Sequence, residues 1–406
     1  MKFNKPSQLF LVSSIGLLVA TLLSACSITT IDYAFVASSS SNGSSSEGQI
    51  QVFAVDSESG ALRSGAATVD SGGIGPIALT VTSDYANLYV ANKTSKTVVH
   101  FTIASNGTLT KQGEITLTDT PVALAVNAGS TFLYVLTGSS SATLSEYALS
   151  SGAIASSATV TKSLTLSSYT GDTILPTALA VSPDGGAVYA TVYDESAYNP
   201  SGSTSSSAHP GWIYGFTIGS SGALTAVANS PYQAGVKPSA IAIDPTSRFV
   251  YVTDYADAEL VGFGINSTNS VYTLTVMASG PFKTGNEPIS VVVDPRGEYI
   301  YVANFLDNDV SAYTITQSSG APSTIVNSTS SVYTTDTEPS SIVVDPALGR
   351  FVYTTNELGN DATGFRLSAD TGAMSTNQAS PYSTGYAPTS IAMVPHGNHS
   401  IQTVTK

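Results

Sequence analysis

The sequence predicts an all-β fold, a seven-bladed β-propeller of four-stranded antiparallel blades, and three observations carry that expectation. One string recurs: Pro238-Ser-Ala-Ile-Ala-Ile-Asp-Pro245, Pro288-Ile-Ser-Val-Val-Val-Asp-Pro295 and Pro339-Ser-Ser-Ile-Val-Val-Asp-Pro346, with weaker copies starting at Pro76, Pro121, Pro176 and Pro388. Each copy is followed by the same succession of short runs rich in Val, Ile, Thr and Tyr, separated by turn residues, which is strand chemistry. No convincing amphipathic helical period appears after residue 26. Seven units of roughly 50 residues, each with four strands, describe a ring of blades around a central channel.

The chain begins outside the ring. Lys2 and Lys5 precede an apolar run from Leu9 to Leu23, too short for a comfortable membrane span of about 20 residues and suited to an export signal. The run ends in Leu23-Ser24-Ala25-Cys26, which resembles the bacterial lipobox. The chain's one Cys stands where a lipoprotein carries its lipid. Residues 1–25 are therefore expected to be a lipoprotein signal peptide, with Cys26 the lipidation site. Residues 26–32 are read as a short tether and 33–406 as one propeller domain. Ser27 after the Cys, in place of Asp, favours the outer membrane or cell surface.

Within each unit the first strand is small and continuously apolar, as in Val291-Val-Val293, and is expected to be buried on both faces. The second carries an aromatic-Val run: Leu88-Tyr-Val-Ala-Asn92, Val250-Tyr-Val-Thr-Asp254, Ile300-Tyr-Val-Ala-Asn304, Val352-Tyr-Thr-Thr-Asn356. The third alternates and ends in an aromatic such as Phe101, Phe263 or Tyr313. A Gly-x-apolar turn at Gly107, Gly152, Gly222 or Gly372 leads to a polar fourth strand. The ends complement one another. Tyr33 to Ala37 looks like a second strand lacking a first, and Pro388 to Val394 like a first strand lacking a second. Their pairing would close the ring, with Ser400 to Thr405 as a competitor for the same place.

Composition excludes several functions. With one Cys there is no disulfide framework. Lys and Arg number 14 against 28 Asp and Glu, a net charge of −14, so the basic footprint of a nucleic-acid binder is missing. Only 10% of residues are charged while 42% are hydrophobic, which argues against disorder.

The Tyr-Val-x-Asn and Pro-x-x-Ile-x-Val-Asp-Pro runs resemble the YVTN-repeat propellers and the lactonase-type seven-bladed propellers, whose members include 6-phosphogluconolactonase and a fungal muconate-lactonizing enzyme. The resemblance spans residues 31 to 405. It implies a lactone hydrolase using His, Glu and Arg grouped on one face. This chain departs from that pattern: no His stands at the start of any first strand. WD-type repeats and quinoprotein blades would bring Gly-His, Trp-Asp or repeated Trp, and Trp212 is alone here. NHL-type repeats share the flavour with fewer, shorter blades.

Strand order places the loops after second strands and before first strands on one face, the top. Arg248, Arg296 and Arg350 fall in bottom turns and are expected to be structural. The top is acidic: Asp254, Asp257, Glu259, Asp307, Asp309, Glu357 and Asp361 follow second strands, and Glu287, Asp336 and Glu338 precede first strands. Lys93, Lys96, Lys237 and Lys283 oppose them, so a phosphosugar would meet repulsion. Two top loops are long, Ser38–Gly48 and Tyr193–Gly211, and long loops on rigid scaffolds tend to carry function.

The candidate ligand-binding residues are accordingly Asp194, Tyr198, Trp212, Tyr255, Asp257, Phe305 and Asp307, carboxylates and aromatics suited to a sugar or a cation. The candidate catalytic set is His209, Glu195 and Lys237. Aromatics before the next unit, such as Tyr232, Phe282 and Tyr382, are expected to fill space between blades. No nucleophile elbow, Cys nucleophile, zinc set or phosphate loop is present. His396 and His399 make a weak pair, so no metal or cofactor is expected. The leading expectation is an exported, membrane-anchored monomer that binds or displays a carbohydrate or protein; the alternative is an extracytoplasmic lactone hydrolase.

Overall fold

Seven antiparallel sheets follow one another along the chain in a computed structural model that describes residues 29–40, 46–166, 173–198, 210–268, 271–325 and 331–397. Blades 1 to 6 open with first strands Pro76–Val81, Pro121–Val126, Ile174–Val181, Pro238–Ile243, Pro288–Val293 and Pro339–Val344. Successive first strands neighbour one another and form the inner wall. Blade 1 has four unbroken strands. In the other six blades the fourth strand is split into two short pieces, as in blade 4, where Thr273–Val276 and Phe282–Lys283 both pair with Glu259–Asn266.

Blade 7 is made by both chain ends. Thr30–Ser39 pairs with Tyr386–Pro395 on one side and Gln49–Asp56 on the other, placing Phe35 between Ala392 and Val52. The N-terminal segment thus takes the second-strand position; its competitor Ser400–Thr405 lies outside the described residues. The strand starts at Thr30, inside the stretch read as tether.

Burial differs from the sequence expectation in one respect. The first strands are only half-buried over most of their length, whereas second strands such as Phe249–Asp254 and Tyr299–Asn304 are buried throughout. The innermost strand turns one face to the channel, so it does not meet protein on both sides. The second strand meets neighbouring blades on both.

The repeated residues build the joints between blades. Tyr89, Tyr134, Tyr189, Tyr251, Tyr301 and Tyr353 of the second strands are fully buried. Five of them donate to a backbone carbonyl of the next blade: Tyr89 to Gly152 (2.7 Å), Tyr189 to Tyr272 (3.0 Å), Tyr251 to Gly320 (2.7 Å), Tyr301 to Gly372 (2.9 Å) and Tyr353 to Gly60 (2.7 Å). The accepting glycines sit at turns with positive φ, where a Cβ would also strike the preceding blade. At Gly372 (φ +71°) it would lie 2.2 Å from the Tyr299 ring, and at Gly320 (φ +75°) 2.3 Å from Phe249. Between blades 3 and 4 the sizes are exchanged: Tyr272 occupies the turn at φ +53°, and the facing position is Gly186, where a Cβ would fall 1.8 Å from the Tyr272 hydroxyl.

Bottom-face arginines have the structural role expected of them. Arg248 donates to the backbone and side chain of Gln317 in blade 5, both at 3.0 Å, and Arg296 bonds Asp294 (2.8 Å) and the Gly349 carbonyl of blade 6 (3.3 Å). Arg350 lies over the Phe351 ring at 5.6 Å.

Candidate functional site

In blades 1 to 6 the first strand is led in by a residue whose carbonyl accepts a hydrogen bond from the residue just past the second strand. The pairs are Gly75 with Lys93, Thr120 with Gly138, Lys237 with Tyr255, Glu287 with Phe305, and Glu338 with Glu357, at 2.7–2.9 Å. In blade 3 the same bond joins Thr173 to Glu195 at 2.9 Å. This backbone device fixes a rim of residues at the top of the inner wall. The rim carries Glu195, Glu287, Glu338 and Glu357 against Lys93 and Lys237.

The rim is densest between blades 3 and 5, around Lys237. Its ammonium stands 4.4 Å from the ring centroid of Tyr255, 5.0 Å from Tyr198 and 5.6 Å from Tyr193. Tyr193 and Tyr198 meet edge to face at 5.8 Å. A cation over aromatic faces is attracted by the ring quadrupoles, more strongly where water is excluded. Burial pulls the Lys237 pKa down, while the nearby carboxylates of Glu287 and Glu195 push it up. Burial and Glu287 together hold the Tyr255 hydroxyl well above its ordinary range, so it remains a proton donor. The result is a partly dehydrated ammonium with three tyrosines and two carboxylates around it.

Four of the residues singled out from sequence meet here: Glu195, Lys237, Tyr198 and Tyr255. Tyr193 and Glu287 belong with them and were not on the candidate list. Their signal was available, since among the residues leading into first strands Lys237 alone is cationic, and its neighbours on the rim are Tyr255 and Glu287. Phe305 holds in blade 5 the place that Tyr255 holds in blade 4. His209 and Cys26 lie outside the described residues, as does most of the long loop, residues 199–209.

Four other candidates stand apart from the cluster. Trp212 pairs with Val192 and Gln233, and its indole packs on the core between blades 2 and 3. Asp194 is buried and accepts from the Ser196 N–H at 2.9 Å, closing its own turn. Asp307 accepts from the backbone and side-chain N–H groups of Asn286 at 2.7 and 3.0 Å. Asp257 lines a side groove of about 180 Å³ with Glu259, Val276 and Met277, on the flank of blade 4. Turn-forming carboxylates use their oxygens on local N–H groups, which is why they recur in loops.

Elsewhere on the top, like charges press together. Asp361 shares a hydrogen bond with Asp336, and burial together with that partner raises its pKa to about 6. Burial and Glu338 raise Glu357. Among the described residues no group of three or more His, Cys, Asp or Glu is arranged to hold a metal ion.

Comparison with known proteins adds the following. A family model described as lactonase, 7-bladed beta-propeller, matches residues 45–157 and 144–378. Curated protein sequences give no match. Among solved structures, a putative 6-phosphogluconolactonase from Bacteroides uniformis superposes with a TM-score of 0.72 at 15% identity, covering 90% of this chain and 100% of its own. One from Bacteroides fragilis gives 0.71 at 17%, covering 91% and 99%. A periplasmic gluconolactonase from Pseudomonas aeruginosa gives 0.71 at 17%, covering 89% and 99%. At these identities the structural likeness concerns the fold.

Proposed function

The chain belongs to the lactonase seven-bladed β-propeller family, and from that premise we propose that it hydrolyses an uncharged lactone at the top rim between blades 3 and 5. The observation that carries this reading is the caged Lys237 with Glu287 and Glu195 beside it. Lactone hydrolysis needs a group to take a proton from water and a positive group where the carbonyl oxygen becomes negative. In this reading Glu287 takes the proton as water adds to the carbonyl carbon. The Lys237 ammonium faces the oxyanion, and the low-dielectric cage strengthens that attraction. Collapse of the tetrahedral intermediate breaks the ring C–O bond, the proton on Glu287 passes to the leaving oxygen, and a hydroxy acid departs. Tyr198 and Tyr255 offer ring faces to a sugar-like substrate.

The rim's four carboxylates against two ammoniums favour a substrate without a phosphate. The neighbours' names divide on this point, a gluconolactonase against two putative 6-phosphogluconolactonases, so the rim's charge carries it. Titration of released acid with the purified full chain, over neutral and 6-phosphorylated lactones, tests the proposal. Turnover of neutral lactones, falling roughly 10²–10³-fold in Lys237→Ala, is expected from the loss of one oxyanion donor. No turnover across the panel would overturn it. The second reading, a binding or display module, is favoured by the lack of any His or Arg on the rim among the described residues; sugar binding without turnover would establish it.

The cellular address is proposed on sequence grounds: export by residues 1–25 and lipid anchoring at Cys26. Cys26→Ala should move the protein from the membrane fraction to the soluble one, and unchanged retention would count against the anchor.

A further inference from the structure

The last residue of the second strand is Asn in blades 1, 5 and 6, and there its amide reaches across to the third strand. Asn92 donates to Thr97 (3.3 Å), Asn304 to Asp309 (2.6 Å) and Ser311 (2.8 Å), and Asn356 to Asp361 (2.6 Å) and Thr363 (2.9 Å). Blade 4 has Asp254 instead, and its side chain does something different. It is fully buried, and its two oxygens accept from the backbone N–H groups of Val236 (2.6 Å), Lys237 (3.0 Å) and Ala256 (3.1 Å). Val236 and Lys237 lead into the first strand; Ala256 lies in the turn that presents Tyr255. The two segments are further joined by the Tyr255 N–H on the Lys237 carbonyl at 2.9 Å.

The approach is close enough to dictate the local sequence. Gly235 has φ +91°, and a Cβ there would lie 2.1 Å from the Asp254 Oδ2. An amide could not replace the carboxylate without loss. Asp254 uses both oxygens as acceptors, and an Asn would turn an NH₂ group, a donor only, toward N–H donors. The carboxylate also serves better than a neutral oxygen, because hydrogen bonds to an ionised acceptor are shorter and stronger.

We propose that Asp254 is the positioning residue of the rim site, a buried carboxylate that fixes the Lys237 ammonium and the Tyr255 ring against each other by holding the backbone of both. The inference deepens the reading of Lys237 as the oxyanion partner and rests on it for its catalytic meaning, but the geometric part stands independently. A misplacement of about 1 Å in a catalytic group can cost on the order of 10²-fold in rate, so the effect belongs in kcat rather than KM.

Asp254→Asn in the full chain is the test, with Asn356→Asp as the reverse exchange in blade 6, away from Lys237. Two measurements are made on each. Lysines are reductively ¹³C-methylated and followed by NMR, with the Lys237 signal assigned by its absence in Lys237→Arg. In the wild type this signal should be displaced by tyrosine ring currents. Asp254→Asn should move it toward the position of exposed lysines, and Asn356→Asp should leave it in place. On a neutral lactone, Asp254→Asn should lower kcat roughly 10–100-fold with KM changed less than about threefold, while Asn356→Asp alters only the melting temperature. An unmoved Lys237 signal in a folded Asp254→Asn protein would overturn the inference. So would equal displacement in both variants, which would mean general loosening. If the wild type turns over no lactone, the hydrolase reading fails, and the NMR comparison still decides the placement of Lys237.

Discussion

The bottom joints and the top rim are made from the same repeat and treat it in opposite ways. At the bottom, Asp244, Asp294 and Asp345 are fully buried and saturated by the turn that follows each. Asp244 accepts from the N–H groups of Arg248 (2.5 Å) and Phe249 (2.7 Å), Asp294 from Glu298 (2.7 Å) and Tyr299 (2.8 Å), and Asp345 from Arg350 (2.5 Å) and Phe351 (2.9 Å). The answer is the same each time because the problem, closing a turn out of water, is the same. On the rim the backbone bond is repeated in six blades but the side chains vary, from Gly75 through Thr120 and Thr173 to Lys237, Glu287 and Glu338. In such a ring, what recurs holds the blades, and the positions that depart from the repeat are free of that duty.

The sharpest way to break that contrast is at Lys237. Its removal should lower turnover of a neutral lactone by roughly 10²–10³, equivalent to about 3–4 kcal/mol on the barrier, and leave the melting temperature little changed. Comparable losses of activity and stability would mean that Lys237 is part of the scaffold.

That division also explains how much of the molecule was legible in the sequence. Blade number, strand order and ring closure were readable because Pro238, Tyr251 and Gly372 and their copies answer local and nearest-neighbour demands, which leave a period. The caged lysine was half readable. Lys237, Tyr198, Tyr255 and Glu195 stood out by residue type; Tyr193 sits beside Glu195 in blade 3 and was passed over as the end of a strand, while Glu287 joins from blade 5, and no spacing along the chain reports a contact across blades. Trp212 stood out because a lone Trp beside a long loop resembles a ligand platform; in the ring it is half-buried and packs against the core between blades 2 and 3. The first strands misled because a run of small apolar residues suits a channel wall as well as a buried strand.

The next effect lies at the bottom, where the closing strand breaks the local rule. Asp32 is fully buried beside Asp345, and neither of its oxygens has a well-formed partner. Burial, then the Asp345 charge, raise its pKa to about 9. Asp345 is already occupied by N–H donors, so Asp32 carries the proton. The unfolded chain releases that proton near pH 4 and the native ring only near 9, so between them the native state binds more protons and stability falls as pH rises. Tyr85 and Tyr353, which also feel Asp32, stay protonated through this range. Asp32→Asn keeps a donor toward Asp345 at every pH. Thermal melts from pH 5 to 9 should therefore show a steeper decline for the wild type, with the variant ahead by a few kcal/mol at the alkaline end. Parallel curves would remove the shared proton from the account.

Gly372→Ala addresses the repeated joint itself. Left-handed backbone costs an L-residue roughly 1–2 kcal/mol, and the Cβ must displace the Tyr299 ring, so a loss of about 2–4 kcal/mol in denaturant unfolding is expected. Activity on lactones should be unaffected at temperatures where the ring is intact. Gly113 is the natural control: a Cβ there meets nothing within 4 Å, and Gly113→Ala should be neutral or slightly stabilising.

The smallest effect separates two tyrosines that the sequence makes equivalent. Tyr301→Phe removes the hydroxyl that satisfies the Gly372 carbonyl, leaving a buried acceptor without its donor, at a cost of about 1–2 kcal/mol. Tyr134 occupies the same place in blade 2, but its hydroxyl makes no well-formed bond to blade 3. The reason is visible one strand over. Opposite Tyr301 stands Ala312, and opposite Tyr134 stands Glu146, a buried carboxyl. The Glu146 Oε1 would lie 2.4 Å from a Cβ on Gly222, the turn that should have received the Tyr134 hydroxyl. Burial raises the Glu146 pKa, and the Thr159 hydroxyl bonds it at 2.9 Å. In blade 2 the carboxyl therefore fills the joint in the tyrosine's stead, and Tyr134→Phe should cost less than Tyr301→Phe in the same unfolding measurement. Equal losses would mean that the hydroxyl-to-carbonyl bond contributes nothing beyond the ring that carries it, and that the blades are held by aromatic burial alone.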